Sequence, residues 1–136
     1  MPIFDQNFSV RVYYEDTDAG GIVYYANYLK FFERARTEWL RELGVNQTKF
    51  LEQNIGFVVR KVEMDNVAPA KLDDLLNINS TIVTLKRASL IFYQTITNQA
   101  QQVICLATVR VACVNFQNAK PVAIPESILG AFKRVC

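Results

Sequence analysis

The sequence predicts a single α+β domain, in which an antiparallel sheet of five strands wraps around one long helix and a short helix closes the C-terminus. Three observations carry this. Apolar residues recur at period two in five stretches, they recur at helical spacing in one long stretch, and that stretch stands between the first strand and the other four. With 136 residues, 51% hydrophobic and 21% charged, the chain can bury one core and is too short for two ordinary domains, so residues 1–136 read as one unit.

The first strand is predicted over Phe8 to Tyr14, where Phe8, Val10, Val12 and Tyr14 alternate with Ser9, Arg11 and Tyr13. Glu15 to Gly21 breaks the alternation, and two adjacent glycines mark a tight exposed loop. Tyr28, Phe32, Ala35, Trp39 and Leu43 then step by four and three along one helix face, while Lys30, Glu33, Arg34, Glu38, Arg41 and Glu42 fill the other. Asn27 is suited to cap this helix, although the residues before it also suit a helical start, and Gly44 is suited to stop it. Strands follow around Val62 and Met64, around Leu76, Ile78 and Ile82, and around Leu90, Phe92 and Ile96. A polar turn over Asn98 to Gln102 leads into the β-branched run Val103 to Asn115, and Pro125 opens an amphipathic tail with Ile128, Leu129 and Phe132. A sheet and helix of this kind leave an edge strand open, which makes pairing with a second copy an expectation.

Composition excludes several chemistries. No apolar run approaches the roughly 20 residues of a membrane span, and the opening MPIFDQNF lacks the basic and apolar regions of an export signal. Cys105, Cys113 and Cys136 are odd in number and have no metal-ligand spacing; Cys105 and Cys113 read as small buried hydrophobes in a strand, in a reduced, cytoplasmic setting. A net charge of +2 is too mild for a nucleic-acid binder. The chain has no histidine, which excludes Ser-His-Asp and Cys-His catalysis and imidazole metal sites within one chain type. Acid–base work falls to carboxylates, Lys, Tyr or Cys, and no metal site is expected.

The loop before the helix places Asp16 and Asp18 beside a helix N-terminus, where backbone N–H groups can hold an oxyanion. A carboxylate there can act as base on water or as nucleophile. On local pattern alone, both aspartates also read as ordinary turn residues.

The string Tyr14 to Tyr28, Tyr-Glu-Asp-Thr-Asp-Ala-Gly-Gly-Ile-Val-Tyr-Tyr-Ala-Asn-Tyr, followed by Glu33-Arg34-Ala35-Arg36, resembles the hotdog thioesterases related to 4-hydroxybenzoyl-CoA thioesterase. Phe57 to Lys61 and Ala68 to Asp74 narrow the resemblance to the Tol-Pal-associated branch of acyl-CoA thioesterases, known as YbgC. The likeness runs from about Val10 to Lys133.

The resemblance implies the hotdog fold and hydrolysis of an acyl-CoA thioester without a cofactor. It also implies a homodimer that assembles to a homotetramer, with the active site at the dimer interface. It assigns the catalytic carboxylate to Asp18, leaves Asp16 to loop structure, and gives the backbone N–H of Tyr25 the task of polarising the thioester carbonyl. Tyr25 stands where the Tol-Pal branch more often has histidine, in agreement with the hydroxybenzoyl branch. Tyr14 and Gly21 belong with the substrate-binding positions of the loop. Lys86, Arg87 and Ser89, at a predicted turn, match the basic stretch that holds the nucleotide end of coenzyme A, and they equally suit a solvated hairpin turn. Other hotdog thioesterases carry their carboxylate on the central helix, but Glu33 reads as a salt-bridged or solvated residue. A reading of another class is a non-catalytic module that binds acyl carrier protein or a phospholipid-synthesis enzyme through the same groove.

Overall fold

The computed structural model describes residues 6–135; the first residues of the chain and Cys136 lie outside this span. The strands are β1 (Gln6–Arg11), β2 (Ile55–Asn66), β3 (Leu75–Leu85), β4 (Ser89–Thr97), β5 (Val103–Asn115) and the two-residue β6 (Lys120–Pro121). The helices are α1 (Asn27–Glu42), α2 (Gln47–Leu51) and α3 (Glu126–Val135). The five long strands form one antiparallel sheet in the order β1-β3-β4-β5-β2, and β6 pairs with β5.

The period-two pattern explains the sheet's inner face. Register sets Ile78, Ile96 and Cys105 in one row, and Ser80, Gln94, Ala107 and Met64 in the next. Ile82, Phe92, Val109 and Val62, then Leu85, Leu90, Val111 and Val59, continue the series. Against these rows α1 buries Tyr28, Phe31, Phe32, Ala35, Trp39 and Leu40. Trp39 is fully buried, with its ring 5.3 Å from that of Phe92 and 5.7 Å from that of Phe132. Phe132 brings α3 onto the end of the core, a burial that contributes about 1.5–3 kcal/mol.

Gln94 is, with Ser80 beside it, a polar member of the inner face and is also fully buried. Its side-chain amide donates to the carbonyl of Phe32 on α1 at 3.0 Å and to Ser80 Oγ at 2.8 Å. Its carbonyl oxygen accepts from Arg36 Nη1 at 2.9 Å. The middle of α1 is thereby fastened to the middle of the sheet.

The first strand ends earlier than its alternation predicts. Asp16 is the cause: its Oδ2 accepts from the N–H of Tyr13 at 2.9 Å, and its own N–H donates to the Tyr13 carbonyl at 3.0 Å. The chain turns through a single 3-10 turn at Tyr14–Asp16, which leaves Tyr14 82% exposed rather than on the inner face. Asn27 is not the cap of α1 but its first residue, because Ala26 is already helical. Gly44, with φ +84°, does stop the helix. Its N–H bonds to Arg41 O at 3.0 Å and that of Val45 to Leu40 O at 3.0 Å, which together form a Schellman motif. The short α2 has no counterpart in the periodicity; Asn46 caps it by accepting from the Lys49 N–H at 3.2 Å. A bulge between Val59 and Lys61 breaks the alternation expected of Arg60 and Lys61, and both are exposed.

Candidate active site

Between β1 and α1 the backbone folds back on itself. Thr17 bridges Val23, the Asp18 N–H donates to Ile22 O at 2.9 Å, and the Tyr24 N–H donates to Asp16 O at 3.1 Å. Asp18 to Gly21 form the tip, closed by the Gly21 N–H on the Asp18 carbonyl at 3.1 Å. Gly21 has φ +77°, a backbone conformation that side chains resist. The loop is then tied to the segment before β3: the Val23 N–H donates to Ala70 O at 2.8 Å, and the Leu72 N–H to Gly21 O at 3.3 Å.

Within this frame the two aspartates part company. Asp16 is held by Tyr13, and its carbonyl also accepts from Asn27 Nδ2 at 2.8 Å. Asp18 is exposed; its Oδ1 accepts from the Gly20 N–H at 2.8 Å, and its Oδ2 has no partner among the described residues. One carboxylate oxygen orients the group and the other faces outward.

The start of α1 supplies donors. The N–H groups of Tyr25 and Ala26 make no hydrogen bond among the described residues, and they lie at the positive end of a 16-residue helix. The Tyr25 ring is 59% exposed and packs edge-on against Tyr24 at 5.1 Å. Tyr28, one turn on, is buried, and its hydroxyl accepts from the Ala70 N–H at 3.2 Å. Burial raises the Tyr28 phenol above its ordinary value, which suits it to packing and support. An open cleft of about 360 Å³ lies here, bounded by Ile22, Tyr25 and Tyr28 on one side and Asn66 to Pro69 on the other.

Tyr14, Asp18, Gly21 and Tyr25 therefore share one loop region. Lys86, Arg87 and Ser89 do not join them within one chain. They form the β3–β4 turn, where the Lys86 N–H donates to Ser89 O at 2.8 Å and the Arg87 carbonyl accepts from the Ile124 N–H at 2.8 Å. Lys86 and Arg87 are exposed, and Ser89 is half-buried. The loop is tied to the residues before Leu75 and the turn follows Leu85, so β3 separates them by 11 residues. That length is roughly 33 Å of extended chain. Glu33 is exposed and enters no ion pair among the described residues. The supporting residues Asn27, Tyr28 and Ala70 were not anticipated as such; the one signal for Asn27 was an amide side chain at the helix start.

The curled antiparallel sheet around a long central helix, with this loop at the helix start, defines a hotdog-fold thioesterase. The sequence matches the thioesterase-like superfamily over residues 12–132. It is 49% identical over 127 residues to an acyl-CoA thioesterase YbgC of Haemophilus influenzae, covering 93% of each chain. It is 47% identical over 125 residues to an acyl-CoA thioester hydrolase YbgC of Shigella flexneri, covering 92% of this chain and 93% of the relative. A crystal structure of a probable thioesterase from Bartonella henselae superposes with a TM-score of 0.79 at 37% identity, covering 89% of this chain and 98% of that one. The chain belongs to the thioesterase-like superfamily and, within it, to the YbgC acyl-CoA thioesterases. It is a thioester hydrolase.

Proposed function

We propose that the protein hydrolyses acyl-CoA to a free carboxylic acid and coenzyme A, with Asp18 as its catalytic carboxylate and the Tyr25 N–H as oxyanion donor. The observation that carries this reading is that, among the described residues, the amides of Tyr25 and Ala26 are unpaired beside a loop whose Asp18 keeps one oxygen free. As base, Asp18 takes a proton from water while the water oxygen bonds to the thioester carbon. Charge that develops on the carbonyl oxygen is stabilised by the N–H of Tyr25. The carbon–sulfur bond then breaks, and the thiolate of coenzyme A leaves and is protonated. As nucleophile, Asp18 would itself bond to that carbon as the carbon–sulfur bond breaks and the coenzyme A thiolate leaves, forming an anhydride that water then cleaves to the free acid and the Asp18 carboxylate. Neither route needs a metal or cofactor.

The working unit is a homodimer joined through β2, two of which make a homotetramer in the cytoplasm. Support comes from the 12-residue strand β2, which pairs with β5 on one side and with nothing on the other among the described residues. Support also comes from the separation of the basic turn from the Asp18 loop, since a second copy can bring its Lys86, Arg87 and Ser89 toward the nucleotide of a coenzyme A bound at the first.

The test is thiol release from a panel of acyl-CoA and aroyl-CoA substrates. Turnover that falls roughly 10²–10⁴-fold in Asp18→Asn is expected. A wild-type protein that binds these substrates and releases no thiol would establish the binding-module reading instead.

A further inference from the structure

Two separate hollows lie beside α1. At its start lies the open cleft bounded by Tyr25 and Asn66 to Pro69. Toward its other end lies a cavity of about 300 Å³, walled in its depth by Leu40, Phe57, Leu90, Phe92, Val111 and Phe132 and bordered by Glu33, Thr37 and Gln47. Arg36 borders the cavity, but its guanidinium is turned onto buried Gln94, so the depth of the cavity is apolar. Below it lies a second cavity of about 140 Å³ under α2, which reaches Cys113, Pro125 and Ile128. Two residues, Gln47 and Phe57, border both. The Phe57 ring leans on Phe132 with centroids 6.5 Å apart and stands between the two spaces.

We propose that the larger cavity receives the alkyl tail of a fatty acyl group, and that Phe57, with Gln47 beside it, forms the floor that limits the length of that tail. The proposal rests on the acyl-CoA reading above and deepens it. Geometry links the cavity to the reacting carbon. Two β2 edges paired about a two-fold axis run antiparallel, so the Asn66 end of one copy meets the Ile55 end of the other. In the β2-paired dimer proposed above, this brings the cleft at Tyr25 of one copy beside the Phe57 cavity of its partner, so that an extended tail passes from one into the other. Arg36 is engaged by Gln94, and the other polar residues, Glu33, Thr37 and Gln47, lie on α1 and α2 across from the sheet. The sheet-side wall of Phe57, Leu90, Phe92 and Val111 therefore favours a hydrocarbon chain. Phe57 and Gln47, the two residues that border both spaces, divide the second cavity from the first.

The experiment measures thiol release from straight-chain acyl-CoA, acetyl to palmitoyl, and from benzoyl-CoA, by wild type, Phe57→Ala, Phe57→Leu and Phe57→Trp. Wild type should show a length beyond which kcat/KM drops. Phe57→Ala should raise the ratio of kcat/KM beyond that length to kcat/KM below it by about tenfold or more, and Phe57→Trp should move the drop to shorter chains. A folded Phe57→Ala protein with an unchanged ratio, whatever its overall activity, overturns the proposal. Should circular dichroism show that Phe57→Ala does not fold, Phe57→Leu carries the same test with a smaller void. A wild type that hydrolyses benzoyl-CoA in preference to every alkyl substrate also overturns it. A wild type inactive on the whole panel fails at the earlier step, the acyl-CoA reading itself.

Discussion

Asp16 and Asp18 differ in what holds them. Asp16 spends its Oδ2 on the Tyr13 N–H, whereas Asp18 uses Oδ1 on the Gly20 N–H and leaves Oδ2 outward. Asp16→Ala should therefore lower stability by about 1 kcal/mol, the scale of a lost cap, whereas Asp16→Asn keeps an amide oxygen for the Tyr13 N–H, and either should reduce turnover far less than Asp18→Asn. Tyr25→Phe should keep kcat within about tenfold, since the backbone donor survives and at most one hydroxyl hydrogen bond is lost. Steady-state kinetics beside thermal melts separates these outcomes. The neighbouring aspartates are indistinguishable by residue type and spacing, and their different hydrogen bonding was not legible in the sequence, because the Tyr13 N–H that claims Asp16 is positioned by the turn.

A second expectation at this scale concerns Cys105, whose thiol burial pushes from 9.0 up to about 12. The folded protein keeps a proton that the unfolded chain gives up, so this contribution is complete below about pH 9 and is lost as the pH rises toward 12. Melting temperature should fall across that window, and less steeply in Cys105→Ala.

Among the elements, α1 was readable because its apolar stripe repeats over four turns. The short α2 was not, since five residues are too few for a period to show. β1 was overextended for a related reason: Tyr14 continues the alternation, and only the Asp16 hydrogen bonds take the chain off course. Gln94 had a visible signal, being the polar member of the inward series Leu90, Phe92, Gln94 and Ile96. Its replacement measures how α1 is attached. Gln94→Ala leaves the Phe32 carbonyl, Ser80 Oγ and the Arg36 guanidinium without their partner in the interior, and should cost about 2–3 kcal/mol in urea denaturation.

For the whole molecule, the chain order was enough to predict the sheet and its open edge, yet not which residues meet in space. The loop aspartate and the basic turn both drew notice, but the length of β3 keeps them apart in one copy. Light scattering at micromolar concentration should report a dimer or larger assembly, and a fully active monomer would exclude the shared site. Lys86→Ala with Arg87→Ala should raise KM for acyl-CoA roughly tenfold or more while barely changing it for an acyl-pantetheine without the nucleotide, because contacts to remote phosphates add uniform binding. The attachment of α1 also bears on timing. The helix is pinned at its start by Asn27 on the Asp16 carbonyl and by the Tyr28 hydroxyl on the Ala70 amide, and at its middle by Gln94. Such a helix cannot slide toward an incoming ligand. If the Tyr25 amide at its tip is the oxyanion donor proposed above, it is aimed when the chain folds, and the entropy of aiming it is settled before any substrate arrives.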